Sequence, residues 1–407
     1  MAQLIDRSQD HMKRAKTRLM VLVPTMTAGG MEHCTSLLLE HFSRDYFDLE
    51  LVTIFDRPPF FAIPADVRLH VLETMPRETV TRLHIQLSGF TTIRHSDAMF
   101  WLENVAAKLA RLVTEMQPDV ILAQDFYATI IALIAKKSTR TAPKIVGTVH
   151  ILCSVFLQQI DLGDFYAQLL RQCLQDADAV VAVGKSVAND LIMNFGVRQN
   201  QTRVIFNPFD FEEVERLSRE NLTAEKPLHD QIPTILFVGR LAPQKGLVYL
   251  LPAIALARKL QEFRCLIVGD GEQRDELKAT AERLGISSNV LFLGRVENAF
   301  KYMRAATLFV LPSVVEGVPY VLLEAMTSGC AVVATESTDD VKELLGDGQR
   351  GVLVPLWDSY ALAEAILRIL WDKRLRANLI EAGIHYARNF SISSSVTLYE
   401  ELLKSVL

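Results

Sequence analysis

The strongest constraint in this sequence is a slow alternation of short apolar runs with longer amphipathic stretches, and the alternation occurs twice. In the first half, "RLMVLVP", "FDLELVTIF", "DVILAQ", "KIVGTVH", "AVVAVG" and "TRVIFNP" read as strands, while "MEHCTSLLLEHFS", "AAKLARLVTEM" and "FYAQLLRQCLQDA" read as helices. In the second half, "TILFVG", "FRCLIVG", "NVLFLG", "TLFVLP", "CAVVAT" and "GVLVP" are strands around segments such as "GLVYLLPAIALARKLQ" and "RDELKATAERLG". Strands separated by helix-length segments require right-handed crossovers and therefore parallel sheets. The expected fold is α/β, with two doubly wound domains facing each other across a cleft. The charged, proline-punctuated stretch "FNPFDFEEVERLSRENLTAEKPLHDQIP" suits a hinge or linker. It gives domains over residues 1–208 and 209–387, with a C-terminal helix at about 388–407 packing back on the first.

At 407 residues, half of them hydrophobic, the chain exceeds one compact core. A net charge of −5, with no basic patch interleaved with aromatics, argues against nucleic acid as a partner. The five cysteines are scattered without ligand-like spacing, which suits reduced core thiols in a cytosolic protein. The N-terminus lacks the apolar core of a signal peptide. The best apolar run, "VILAQDFYATIIALIA", is broken by Asp125 and is shorter than the roughly 20 residues a bilayer crossing needs.

In open parallel sheets, ligands bind beyond the carboxyl ends of the strands, so the loops there carry the chemistry. "VGRLAPQKG" puts Arg240 and Lys245 just past the first strand of the second half, before a helix. A guanidinium fork beside an ammonium, next to a helix N-terminus, suits a diphosphate; the alternative is a pair of solvated loop cations. "EGVPYVLLEAMTSG" sets Glu316 and Glu324 eight residues apart, with Pro319 at the start of a helix. Both carboxylates could accept hydrogen bonds from a polyol, and the free N–H groups of Gly317, Val318 and Tyr320, on either side of Pro319, would face a phosphate. Alternatively, Glu324 stabilises its own helix N-terminus. Gly29 and Gly30 follow the first strand, where they could admit a ligand or simply make a tight turn.

Together these elements resemble the retaining nucleotide-sugar glycosyltransferases of family four, which have the two-domain GT-B fold built from Rossmann-like domains. The resemblance runs from "LVPTMTAGGMEH" through "DADAVVAVGKSVANDLI", "RVIFNPFD" and "FVGRLAPQKGLVYLLPA" to "PSVVEGVPYVLLEAMTSGCAVVAT". It implies a second domain that binds the donor and a first that binds the acceptor. By the same resemblance, Arg240 and Lys245 clamp the donor diphosphate, Glu324 holds the ribose hydroxyls and Glu316 touches the sugar. Val296 and the "GDGEQ" loop frame the base, Gly29 and Gly30 approach the phosphates from the opposite domain, and His150 stands near the reacting carbon in an electrostatic or positioning role. A uridine diphosphate sugar is the expected donor, with a guanosine donor as the alternative, and no metal or cofactor is expected. The expected acceptor is a saccharide or lipid-linked saccharide in surface polysaccharide assembly.

Departures from the family pattern are His33 after the glycine pair, Gly184 in place of a serine, Val318 in place of an aromatic, and Gln244 in place of a cation. A catalytically silent nucleotide-sugar-binding protein is the alternative function. "GDGEQR" lacks the third glycine of a dinucleotide fingerprint, Arg274 standing there, and "DAD" at 176–178 suits a solvated turn better than a metal site. The cations Lys13, Arg14, Lys16 and Arg18, with Phe60 and Phe61 in "RPPFFAIP", are candidates for peripheral contact with the cytoplasmic face of an anionic membrane.

Overall fold

The computed structural model describes residues 16–27, 29–73, 95–159, 162–222 and 232–407. Lys13 and Arg14 lie outside them. The first sheet contains β1 (Thr17–Val23), β2 (Phe47–Phe55), β3 (Arg68–Glu73), β4 (Val120–Gln124), β5 (Lys144–Val149), β6 (Ala179–Ala182) and β7 (Thr202–Val204). Its order is β3-β2-β1-β4-β5-β6-β7 and every pairing is parallel. The second contains β8 (Thr234–Val238), β9 (Arg264–Val268), β10 (Val290–Gly294), β11 (Leu308–Leu311), β12 (Ala331–Thr335) and β13 (Val352–Val354), in the order β10-β9-β8-β11-β12-β13, again all parallel. Both sheets are doubly wound. Central strands such as β4 and β12 are buried throughout, which is why they read as unbroken apolar runs.

Two elements differ from the sequence reading. Strand β3 was not read as a strand: its sequence, RLHVLE, is a short mixed run rather than an unbroken apolar one, as suits an edge strand in which only Glu73 is buried. Part of the expected linker is the helix Phe211–Ser218: the Asp210 carboxylate accepts from Glu213 N at 2.9 Å, and Phe211 and Val214 sink into the second domain's core.

The C-terminal helix Ile392–Ser405 lies on the first sheet, where Val396, Tyr399, Leu402 and Leu403 join Leu19, Val21 and Phe47 in one core. Each such side chain contributes about 1.5–3 kcal/mol by leaving water. The chain thus crosses between the domains twice.

The carboxyl ends of the two sheets meet directly. A Cβ on Gly317, in the loop after β11, would stand 2.5 Å from the His150 carbonyl oxygen, so only glycine permits this approach. Beside it, the helix Lys185–Phe195 has no cap from its own domain; Asp340 of the second domain accepts from Lys185 N and Ser186 N, both at 2.9 Å. The Ser186 hydroxyl accepts in turn from Asp340 N at 3.2 Å, and Asp340 is buried. The two departures Gly184 and Val318 pack against each other here: a Cβ on Gly184 would lie 2.4 Å from the Val318 side chain.

Asp340→Ala leaves two helix N–H groups without an acceptor and should destabilise the protein by about 1–2 kcal/mol in urea unfolding. Lys185→Ala removes only the exposed ion pair to Glu343 (2.9 Å) and should cost less than about 1 kcal/mol. Equal losses would show that the cap contributes nothing special.

Candidate active site

Three loops at the ends of β8, β9 and β10 are joined through their backbones. Leu241 N donates to Asp270 O and Gln273 N to Leu241 O, both at 3.0 Å, while Gly269 N donates to Gly294 O at 2.7 Å. The "GDGEQ" loop thus braces the segment carrying Arg240. Val296, two residues past β10, is half-buried against the second domain's core.

Arg240 is exposed on this brace. Lys245 ends a short 3-10 turn, Pro243–Lys245, which Gly246 closes at φ +67 before the helix Leu247–Ala257. A Cβ on Gly246 would stand 2.0 Å from Pro312 O, so the turn presses on the loop after β11. Val314 N donates to Gln244 O at 2.8 Å across that contact. Lys245 therefore lies on the turn that adjoins the loop carrying Glu316, and Arg240 precedes it on the same connection.

Glu316 and Lys245 form an ion pair at 2.6 Å, and the Ser313 hydroxyl donates to the same Oε1 at 2.6 Å. Glu324 is the fifth residue of the helix Tyr320–Thr327, beyond the first turn, so it does not serve that N-terminus. No side chain caps this helix, whose Ncap is Pro319, so its first N–H groups have no side-chain acceptor. Burial pushes the Glu324 carboxyl up to about 7, against the opposing pull of Lys245. The Tyr320 hydroxyl reaches across the cleft and donates to Asn207 O at 2.8 Å.

The first domain contributes His150, just past β5. Its Nε2 lies 3.1 Å from Gln124 Oε1 and its Nδ1 3.4 Å from Asn207 Nδ2. Burial pushes the imidazole down to about 4, so it is neutral and a weak base at physiological pH. Gly29 is the Ncap of the helix Gly30–His41, placing both glycines at the carboxyl end of β1. Cys34 of that helix lies against Asn207, its Sγ 3.3 Å from Oδ1.

Sequence reasoning missed Gln124, Asn207 and Asp125. Asp125 caps the helix Phe126–Lys137 with φ +95, a backbone region that favours glycine, and burial raises its carboxyl to about 7, with Glu32 nearby adding to the shift. A polar residue closing an apolar strand, as Gln124 closes "VILAQ", is the signal that could have found the first of them.

Other expectations resolve differently. Asp178 accepts from Lys136 Nζ (2.9 Å), Lys144 Nζ (3.0 Å) and Ile145 N (2.9 Å), a strut between helix and sheet rather than a solvated turn. Lys16 and Arg18 stand at the start of β1, near Asp48 and Asp119, whereas Phe60 N is bonded to Met26 O beyond the strand's other end. The cations and the phenylalanines therefore do not form one surface. Phe61 instead stacks on His33 at 4.9 Å, and Phe60 is 70% exposed. No helix among the described residues is long and apolar enough to cross a membrane.

Because the fold raises the pKa of Glu324 above its unfolded value of about 4.3, the folded state holds the extra proton, and stability falls as pH rises from there through about 7. Glu324→Gln removes that cost. Its unfolding free energy, measured against wild type at pH 4.5 and pH 8, should gain on the order of 1–3 kcal/mol across the interval. An unchanged difference would mean the carboxyl is not held protonated.

Comparison with known proteins shows the family and the fold. The family described as Glycosyltransferase Family 4 matches residues 28–213, and that described as Glycosyl transferases group 1 matches residues 218–386. The chain is 27% identical over 361 residues to an N-acetylgalactosamine-N,N'-diacetylbacillosaminyl-diphospho-undecaprenol 4-alpha-N-acetylgalactosaminyltransferase of Campylobacter jejuni, covering 88% of this chain and 92% of that protein. A second Campylobacter jejuni protein, a GalNAc-alpha-(1->4)-GalNAc-alpha-(1->3)-diNAcBac-PP-undecaprenol alpha-1,4-N-acetyl-D-galactosaminyltransferase, is 27% identical over 391 residues, covering 96% and 98%. The crystal structure of Anabaena HepE in complex with UDP superposes with a TM-score of 0.73 at 22% identity, covering 96% of this chain and all of that one. With the two family matches following one another along nearly the whole chain, this protein is a glycosyltransferase of the group 1, family 4 type, built on the GT-B fold.

Proposed function

We propose that this enzyme is a retaining transferase that moves a sugar, an N-acetylhexosamine or a hexose, from a uridine diphosphate donor to a lipid-linked saccharide at the cytoplasmic face of a membrane. The carrying observation is the grouping of Arg240, Lys245 and Glu316 on adjoining second-domain loops, with Glu324 on the helix that follows and His150 directly across the Gly317 contact. Arg240, Lys245 and the uncapped helix N-terminus at Tyr320 supply counter-charge for a diphosphate, and Glu324 supplies a hydroxyl acceptor for a ribose. The acceptor class draws support from the two Campylobacter relatives, which are named for transfer to undecaprenol-linked saccharides. UDP draws support from the HepE complex.

In the proposed reaction, the bond from the anomeric carbon to the leaving phosphate oxygen breaks while the acceptor oxygen bonds to the same face. The acceptor's proton passes to the departing phosphate. Negative charge grows on that phosphate, and Lys245 and Arg240 stabilise it as it forms. His150, neutral and with both ring nitrogens engaged, positions the sugar and takes no proton. With two cations and a helix N-terminus opposite the diphosphate, the reaction needs no divalent metal.

A panel of UDP-, GDP- and ADP-sugars, assayed for nucleotide release with and without chelator, tests this reading. Release from UDP-sugars, undiminished by chelator, is expected; preference for a guanosine donor or loss in chelator would refute the corresponding part. No release from any donor would favour a silent binding protein. Lys245→Ala should lower kcat/KM by about 2–4 kcal/mol, and a change below twofold would leave Lys245 only its structural pairing with Glu316.

A further inference from the structure

The amide of Gln124, to which the proposed reaction gives no role, is wholly buried at the end of β4, in register with Thr148 of β5. Its Oε1 accepts from the Thr148 hydroxyl at 2.8 Å and lies 3.1 Å from His150 Nε2. On the other side of the ring, Asn207 directs its Nδ2 toward His150 Nδ1, because its Oδ1 already faces the Cys34 thiol at 3.3 Å. With both amides oriented as they stand, and Gln124 Nε2 left without a partner, one assignment of protons makes every bond of this chain. The thiol donates to the Asn207 carbonyl, the Asn207 amide donates to Nδ1, and Nε2–H donates to Gln124. The opposite tautomer sets Nδ1–H against an N–H, and its bare Nε2 could accept only by drawing the Thr148 hydroxyl, 3.2 Å away, off Gln124 Oε1, so the chain keeps fewer of its bonds.

We propose that Gln124 and Asn207 are positioning residues that hold His150 as the neutral Nε2–H tautomer, fixing the ring and the adjoining main-chain carbonyl beside Gly317. The catalytic consequence rests on the transferase reading above; the tautomer itself does not. Both ring nitrogens are then committed within the protein, and His150 acts through its position rather than as a base. Asn207 also accepts the Tyr320 hydroxyl through its main-chain oxygen, so the second domain bears on the same ring.

Nitrogen-15 histidine spectra of the full chain read the tautomer directly, with His150→Asn identifying the resonance. The Nε2–H form is expected in wild type, and an Nδ1–H or averaged ring would overturn the proposal. Gln124→Leu, which keeps the volume but removes the acceptor, should lose the fixed tautomer and lower kcat about ten- to a hundredfold while donor KM changes less than threefold. Gln124→Glu restores an acceptor but favours the imidazolium. It should rescue kcat at pH 8 and show a fall in kcat toward acid at a pH where wild type stays flat. A Gln124→Leu protein with unchanged tautomer and kcat would overturn the proposal, as would a Gln124→Glu profile identical to wild type. If no donor is turned over at all, the transferase reading fails while the spectra still decide the tautomer.

Discussion

Everything in the proposed site depends on one backbone-to-backbone approach, that of Gly317 to the carbonyl of His150. Any side chain at 317 would hold the two sheets apart, and the loop carrying Glu316 would lose its place opposite the first domain. The Asp340 cap reinforces the approach with a different kind of interaction. A helix of one domain obtains its N-terminal acceptor from the other, so the cap exists only while the domains are together. Backbone contact fixes the distance between the domains and the cap fixes their orientation.

Within that frame, charge is balanced before any ligand arrives. Lys245 is paired with Glu316 and lies close enough to Glu324 to oppose the effect of burial on that carboxyl. Under the proposed function, a diphosphate binding here takes over the cation and releases Glu316 toward the sugar. The exchange costs less than it would at an unpaired buried charge, because the site never holds one uncompensated. The same economy appears across the cleft, where His150 stays neutral through burial and both its nitrogens are satisfied.

The sequence made the sheets legible because strands buried on both faces become near-continuous apolar runs, and the inner strands of the second sheet were readable in this way. Strand β3 was not, since an edge strand needs few buried side chains. The helix Phe211–Ser218 was hidden by its charge, with only Phe211 and Val214 facing the core among its apolar positions. Arg240, Lys245, Glu316 and Glu324 could be singled out because they sit at fixed offsets from strand ends. Asn207 and Asp340 could not, because their partners lie 57 and more than 150 residues away, and Gln124 left only the mark of a polar residue closing an apolar strand. Local pattern has no means of recording those pairings. It likewise joined Lys16 with Phe60, which the length of β1 keeps apart.

The account's central claim is that one ligand site is assembled from loops of both domains. Hydrogen–deuterium exchange with and without saturating UDP tests it most directly. Slowed exchange is predicted in residues 239–247 and 314–324 of the second domain and, across the cleft, in residues 148–151 of the first. Protection confined to other segments, with these three unchanged, would contradict it.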